Sequence, residues 1–501
     1  MINKINKRQL IGISLITLYL STGMILTSCS DELNALPSQS KVDGNLVVDQ
    51  KSAIVALNGI YYSYALCGTD NYGVKSTACA RWYGAIPADF AGVYIYYQGA
   101  YMLESHPASY LASYSSYFWQ PLYGTVNAAN AVIEQVSQSP DSYYQGTKKQ
   151  EILGEAHGMR ALAFFDLLRY FGYSWDINSP YGILLRTDKS TATTLTLGRS
   201  SVKDTYEQII ADLDYAIENA PTENEHCYIS KWAAKGLKAR VLVQRGQGSD
   251  YQDAASLCAD IIANGPFALE DNYADIFHRK GIASQEVILG IQPKENQTDV
   301  YEAYYYRGSA QWLPTDNFVA LFDGDPRFQQ LFTQVLTDQV GFREDGSYYF
   351  YQEVTNVFMK NVDPQNIAAN DVEESQYLLR LSEVYLLRAE ALARTGNLGE
   401  AKELLKTVLS KSGIEDFSAV DAASTETEVL QQIFNEDLRN LASECGLEHN
   451  LMLRFPESIV LQFAPAYADK QDNVFGIPTD EFKYNNVLTE ADQNPGFSVS
   501  E

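Results

Sequence analysis

Ile152-Leu153-Gly154-Glu155-Ala156-His157-Gly158-Met159-Arg160-Ala161-Leu162-Ala163-Phe164-Phe165-Asp166-Leu167-Leu168-Arg169-Tyr170-Phe171-Gly172 is the stretch on which the fold turns. Its apolar residues recur at helical spacing, and the small residues among them form a seam along which a second helix can approach closely. Gly172 stands where a helix C-terminus would fall. Glu155, Arg160, Asp166 and Arg169 lie at spacings that let side chains pair along a helix face, and packing explains them better than catalysis.

The same plan recurs on the C-terminal side. Residues 232–246 carry Trp232, Ala233, Ala234, Leu237, Ala239, Val241 and Leu242, and after a short turn the period resumes at Tyr251 with Ala254, Ala255, Cys258, Ile261 and Ile262. Residues 378–394 repeat it with Leu379, Leu386, Ala389 and Ala393; Gly396 breaks the run and 401–409 begins the next helix. Helix, glycine turn, then helix with an early alanine is a tetratricopeptide-like pattern. Further helices are predicted over 52–64, 119–136, 202–219 and 427–443, with Ser200 or Ser201 capping the third of these and Asp204 in its first turn. The fold class is therefore mostly α, a scaffold of tetratricopeptide-like helix pairs. Between the pairs, 67–102, 173–199, 265–375 and the Pro-containing tail from 454 onward read as loop-dominated, apart from short apolar runs such as Glu286-Val287-Ile288-Leu289-Gly290-Ile291. Long ordered loops on a helical scaffold are where function usually sits.

The N-terminus reads as a bacterial lipoprotein signal. Lys4, Lys7 and Arg8 precede an apolar run from Leu10 to Leu20, and Leu26-Thr27-Ser28-Cys29 closes it with small residues before a cysteine. The run is too short to span a bilayer comfortably, so residues 1–28 are expected to be removed and Cys29 to carry the lipid. Ser30-Asp31-Glu32 and the polar stretch behind it cannot bury a core, so 29–50 reads as a flexible tether.

Among 501 residues, 63 Asp and Glu face 37 Lys and Arg, a net charge of −26. Such an acidic surface argues against nucleic acid and against anionic headgroups as partners. The five cysteines after Cys29 are odd in number and lack CxxC spacing; Cys67 and Cys79 flank one loop, and whether they pair stays open. His106, His157, His226, His278 and His449 stand in no metal-ligand spacing, and there is no nucleophile elbow or phosphate-binding glycine loop. Asp323-Gly324-Asp325 is too short to be a calcium loop. No cofactor, metal site or catalytic set is expected, and the chain is not read as an enzyme.

What the loops do carry is aromatic. Tyr outnumbers Phe, 35 to 21, which favours half-exposed recognition surfaces over deep cores. Trp82, Tyr83, Asp89, Tyr97 and Tyr101 crowd one region, and Tyr305, Arg307 and Trp312 another. Sugar rings stack their C–H faces on such side chains, and neighbouring polar groups orient the hydroxyls. These eight are the candidate ligand-binding residues. Tyr348-Tyr349-Phe350-Tyr351 is a third aromatic run of this kind, although it and the alternating Tyr94-Ile95-Tyr96 also fit core strands.

The order of the blocks resembles the SusD/RagB family of outer-membrane nutrient-binding lipoproteins. Trp119, Tyr123, Asn127, Asn130 and Ile133 match its early helix, and Glu155 to Gly172 its most recognisable block, followed by Pro180-Tyr181-Gly182-Ile183. Arg199-Ser200-Ser201-Val202 with Tyr206, Ile209, Asp212, Leu213 and Ala216 comes next, then Leu313-Pro314-Thr315, Asp325-Pro326-Arg327 and the block from Leu379 to Ala391. The segment Glu436 to Gly446 is only partial, and Asn450-Leu451-Met452-Leu453-Arg454-Phe455 replaces the usual ending, which leaves local transporter contacts open.

The resemblance implies one SusD-like body over 51–501, with the scaffold mainly in 51–270 and 376–445. Ligand or partner regions would lie in 67–102, 271–375 and 446–501. It also implies a lipid anchor in the outer membrane, a position facing the cell exterior, and delivery of a bound glycan to a TonB-dependent transporter of the SusC type. Peptide capture in the same role, and a helical adaptor with no small ligand, are the alternative readings.

Overall fold

The computed structural model describes residues 46–65, 81–96, 108–191, 194–291, 305–306, 309–310, 312–343, 345–361, 375–465, 467 and 469–500. Helices α1 (Gln50–Ala65), α2 (Arg81–Phe90), α3 (Ala108–Gln138), α4 (Lys148–Phe171), α5 (Val202–Asn219), α6 (Lys231–Arg245) and α7 (Asp250–Asn264) follow in order. α1 packs on α3, and each of α3 to α6 packs on the next. After α8 (Asp316–Ala320) comes α9 (Leu381–Arg394), which lies directly against α7, so the stack continues across the whole 265–375 insertion. α10 (Leu398–Lys411) and α11 (Glu426–Leu441) extend it. This is the tetratricopeptide-like array that the alternation of helix and turn predicts.

Local chemistry sets the helix ends. Ser201, not Ser200, caps α5, its hydroxyl accepting from the Asp204 amide at 3.0 Å. Gly246 ends α6 in the left-handed region at φ 59°. Gly172 ends α4 with extended backbone. A side chain on Gly154 would overlap the backbone nitrogen of Ala220, so this glycine is what lets α4 approach the chain leaving α5.

Strands occur only as pairs among the described residues. β1 (Tyr94–Tyr96) pairs antiparallel with β5 (Trp312–Pro314), and β2 (Val287–Ile291) with β8 (Gln376–Arg380). β3 (Tyr305–Tyr306) turns back onto β4 (Ser309–Ala310), and β6 (Phe332–Phe342) forms a long hairpin with β7 (Tyr348–Phe358). One hydrophobic core runs through α1 and α3 to α7. The second gathers β1, Trp312, Phe318, Phe322, the hairpin root and α9 to α11, together with α12 (Leu447–Arg454) and α13 (Glu457–Phe463).

Several expectations are corrected. Leu378, Leu379 and Arg380 belong to β8, and the third repeat begins its helix at Leu381; pairing with β2 supplies the backbone bonds a helix would have made. The 67–102 stretch contains α2 and β1, and the tail contains α13 and α14 (Thr479–Tyr484). The Tyr348 to Tyr351 run is a strand but lies outside the core, with every ring exposed. Leu46 and Val47 donate their amides to Gln135 Oε1, so the docked chain begins before α1.

The buried charges pair mostly between helices. Arg160 holds Asp212 of α5 through contacts of 2.6 and 2.8 Å, while Tyr61 and Tyr64 of α1 each donate at 2.6 Å, to Glu155 and Asp166. Of the four charges Glu155, Arg160, Asp166 and Arg169, Asp166 and Arg169 pair with each other along α4, at 2.8 Å. His157 bonds Asp212 and His449 stacks on Tyr170, in keeping with packing roles.

Candidate functional site

The candidate site is built around the β1–β5 pair. α2 carries Trp82 and Tyr83 in its first turn and Asp89 in its last, and β1 follows at once. The antiparallel register sets Tyr96 opposite Trp312, Ile95 opposite Leu313 and Tyr94 opposite Pro314. Two aromatic regions more than 200 residues apart in the chain thereby become neighbours. Beyond β5, Thr315 fixes the junction: its amide donates to Val93 O at 2.9 Å and its hydroxyl to Gly92 O at 2.7 Å. Tyr305 lies in β3, a few residues before β5. Tyr97, Tyr101 and Arg307 fall outside the described residues, as do Cys29, Cys67, Cys79 and His106.

Two of the eight candidate residues lie beneath the surface. Trp312 is 1 % exposed and belongs to the second core, and Asp89 is 6 % exposed. Burial holds the Asp89 carboxyl well above the usual carboxylate range. Both are therefore core groups in this structure and offer no open face to a ligand.

A buried ionic clasp holds this region, and the sequence reading did not assign it. α11 ends at Leu441, and the turn to α12 passes through Ser443, Cys445 and Gly446, all at positive φ (66°, 49° and 72°). Its carbonyls are orphans of a helix end and need donors. Arg380 supplies Asn440 O at 2.8 Å, Lys360 supplies Asn440 O and Ala442 O at 2.7 and 2.9 Å, and Arg169 supplies Cys445 O and Gly446 O at 2.7 and 2.8 Å. Glu286 and Glu444 balance Arg380, each at 2.6 Å, and Glu444 also pairs with Lys360. The clasp reaches the site twice: Tyr94 Oη and Ser443 Oγ are 2.7 Å apart, and α12 packs against α2. Its one sequence signal was Glu436 to Gly446, where charged residues interrupt an otherwise apolar helical period.

A stack of paired helices whose long insertions meet at the β1–β5 pair defines the class: a helical-repeat scaffold. The chain belongs to the SusD family. A family model described as "Starch-binding associating with outer membrane" matches residues 81–243, and a second, described as "SusD family", matches 271–496. A SusD-like protein of Bacteroides ovatus is 27% identical over 320 residues, 57% of each chain. SusD-like protein P38 of Formosa agariphila is 22% identical over 327 residues, 58% of this chain and 61% of that one. The matched region thus spans less than two thirds of these curated relatives. Among solved structures, a SusD superfamily protein of Bacteroides thetaiotaomicron aligns with TM-score 0.66 and 22% identity over 89% of this chain and 100% of its own. A structure described as a putative sugar binding protein, from Bacteroides vulgatus, aligns with TM-score 0.65 and 20% identity over 90% and 100%. Among the described residues, no helix is long and apolar enough to cross a membrane.

Proposed function

We propose that this chain captures oligosaccharide at the cell surface and passes it to a TonB-dependent transporter of the SusC type. The observation that carries the reading is the β1–β5 pairing, which brings two aromatic-rich segments side by side. The family model described as starch-binding and the sugar-binding description of one structural neighbour support the ligand class. In this reading Trp82, Tyr83, Tyr97, Tyr101 and Tyr305 supply ring faces, Arg307 donates to hydroxyls, and Asp89 and Trp312 hold the seat from beneath. The protein acts by binding and carries out no chemistry on the glycan. Cys29 anchors it by lipid in the outer membrane, facing outward, after removal of residues 1–28.

The test is isothermal titration against starch, xylan, mannan and pectin oligosaccharides. Stacked rings contribute about 0.5–1.5 kcal/mol each beyond burial, so Kd values between about 1 mM and about 1 μM are expected. Trp82→Ala should weaken binding about tenfold with an unchanged melting temperature. Trp312→Ala should instead lower stability by about 3–5 kcal/mol, as removal of a core aromatic does. No binding to any glycan, or new reducing ends appearing during incubation, would overturn the reading.

A further inference from the structure

β6 and β7 leave the second core as one long hairpin. Phe332 and Phe358, opposite each other at its root, are buried with Phe318 and Phe322, whereas Leu336, Tyr348, Phe350 and Val354 further out are exposed. Side chains alternate between the faces of a strand. The register therefore sets Leu336, Tyr348, Phe350 and Val354 on one face and Tyr349, Tyr351 and Glu353 on the other.

The two faces offer different chemistry. Tyr348 and Phe350 meet edge to face at 81° and share no plane. Tyr349 and Tyr351 are tilted by only 34° with centroids 5.8 Å apart, and they keep 42% and 43% of their surface exposed. Opposite Tyr349 stands Gly341, where a Cβ would overlap the Tyr349 ring; the bare backbone is what lets that ring settle over the strand. The Arg343 guanidinium lies 5.2 Å from the centroid of the same ring. Two half-exposed phenols, tilted by 34° and with a guanidinium over one of them, offer apolar ring faces and a hydrogen-bond donor together, as a pyranose with its C–H face and its rim of hydroxyls requires. A protein partner would find its apolar contacts on the opposite face.

The geometry points to the Tyr349–Tyr351 face as a second glycan contact, which takes a pyranose unit of a polysaccharide against the two rings with Arg343 beside its hydroxyls. β7 packs against β5 and its root ring Phe358 lies against Tyr94, so the hairpin that carries this platform rises from beside the β1–β5 pair. The inference rests on the glycan-binding reading but uses none of the residues assigned to the seat at that pair. Two linked contacts raise avidity for a long chain far more than for a short one.

The test is retention of the full chain in native gels cast with soluble starch, xylan, mannan or pectin, alongside titration with short oligosaccharides of the retained polymer. The paired substitutions Tyr349→Ala and Tyr351→Ala should weaken polysaccharide retention about tenfold while short-oligosaccharide affinity and melting temperature stay at wild-type values. Gly341→Ala keeps both phenols but displaces one, and should reproduce much of the loss. Phe350→Ala, on the opposite face, should change nothing. Wild-type retention in the double variant, with Trp82→Ala impaired, would overturn the platform and leave the seat standing. Equal loss in Phe350→Ala would overturn the assignment to one face. A wild-type chain retained by none of the polymers would overturn both the platform and the function proposed above.

Discussion

Glu448 is fully buried on α12, and neither carboxyl oxygen has a hydrogen-bond partner among the described residues. Burial pushes its carboxyl up from 4.5 to about 7, with Lys360 and Arg169 opposing and Glu444 adding to the shift. A raised carboxylate binds its proton more tightly in the folded chain than in the unfolded one. Its contribution to stability is therefore complete below pH 4.5 and is lost as pH rises through about 7. Glu448→Gln should flatten the decline of melting temperature over that window and raise stability at pH 8 by up to about 3 kcal/mol. Glu155, also raised to about 7 by burial, keeps part of the slope. Equal pH profiles for the variant and wild type would show that Glu448 is not titrating there. Arg380 is the opposite case, a buried charge with every partner in place. Arg380→Met leaves Glu286 without its cation and strips a donor from Asn440 O, so a loss of about 3–5 kcal/mol in urea unfolding is expected. A change below 1 kcal/mol would mean that Lys360 and Arg169 hold the turn without it.

At the scale of the element, the helices were legible wherever a period of small and apolar residues met a capping residue. α5 falls on the expected 202–219, and Thr425 with Glu428 forms a capping box at the start of α11. The sequence misassigned Leu378 to Arg380 because their apolar period continues that of α9, and only the distant β2 segment turns them into strand. The Tyr348 to Tyr351 run misled in another way: its composition fits a core strand, yet nothing among the described residues covers it. Close approach between elements gives a sharper prediction. Gly154→Val places a branched side chain against Asn219 and Ala220 backbone. Thermal melting should show a loss of about 1–3 kcal/mol from overpacking, and an unchanged melting temperature would mean that α4 and α5 can separate freely.

For the whole molecule, the anchor and the body are expected to be independent. Cys29→Ser should release the protein from membranes in fractionation while its circular dichroism and melting stay unchanged, because a polar stretch of sequence separates Cys29 from the docked chain at Leu46 and Val47. Lipid labelling that persists in this variant would contradict the assignment of Cys29. The sequence by itself determined the helix-pair scaffold, its family and the aromatic character of the insertions, since periodicity, small-residue seams and composition are local properties. Which aromatics stay open was decided only by tertiary structure. Trp82 and Trp312 read alike along the chain, yet the partner strand and the second core bury Trp312. The partners of the 443–446 turn were likewise decided by tertiary structure: the charges of Glu436 to Gly446 mark the segment, but Arg169, Lys360, Arg380 and Glu286 meet it from far along the chain, and no local pattern records a contact between residues so far apart.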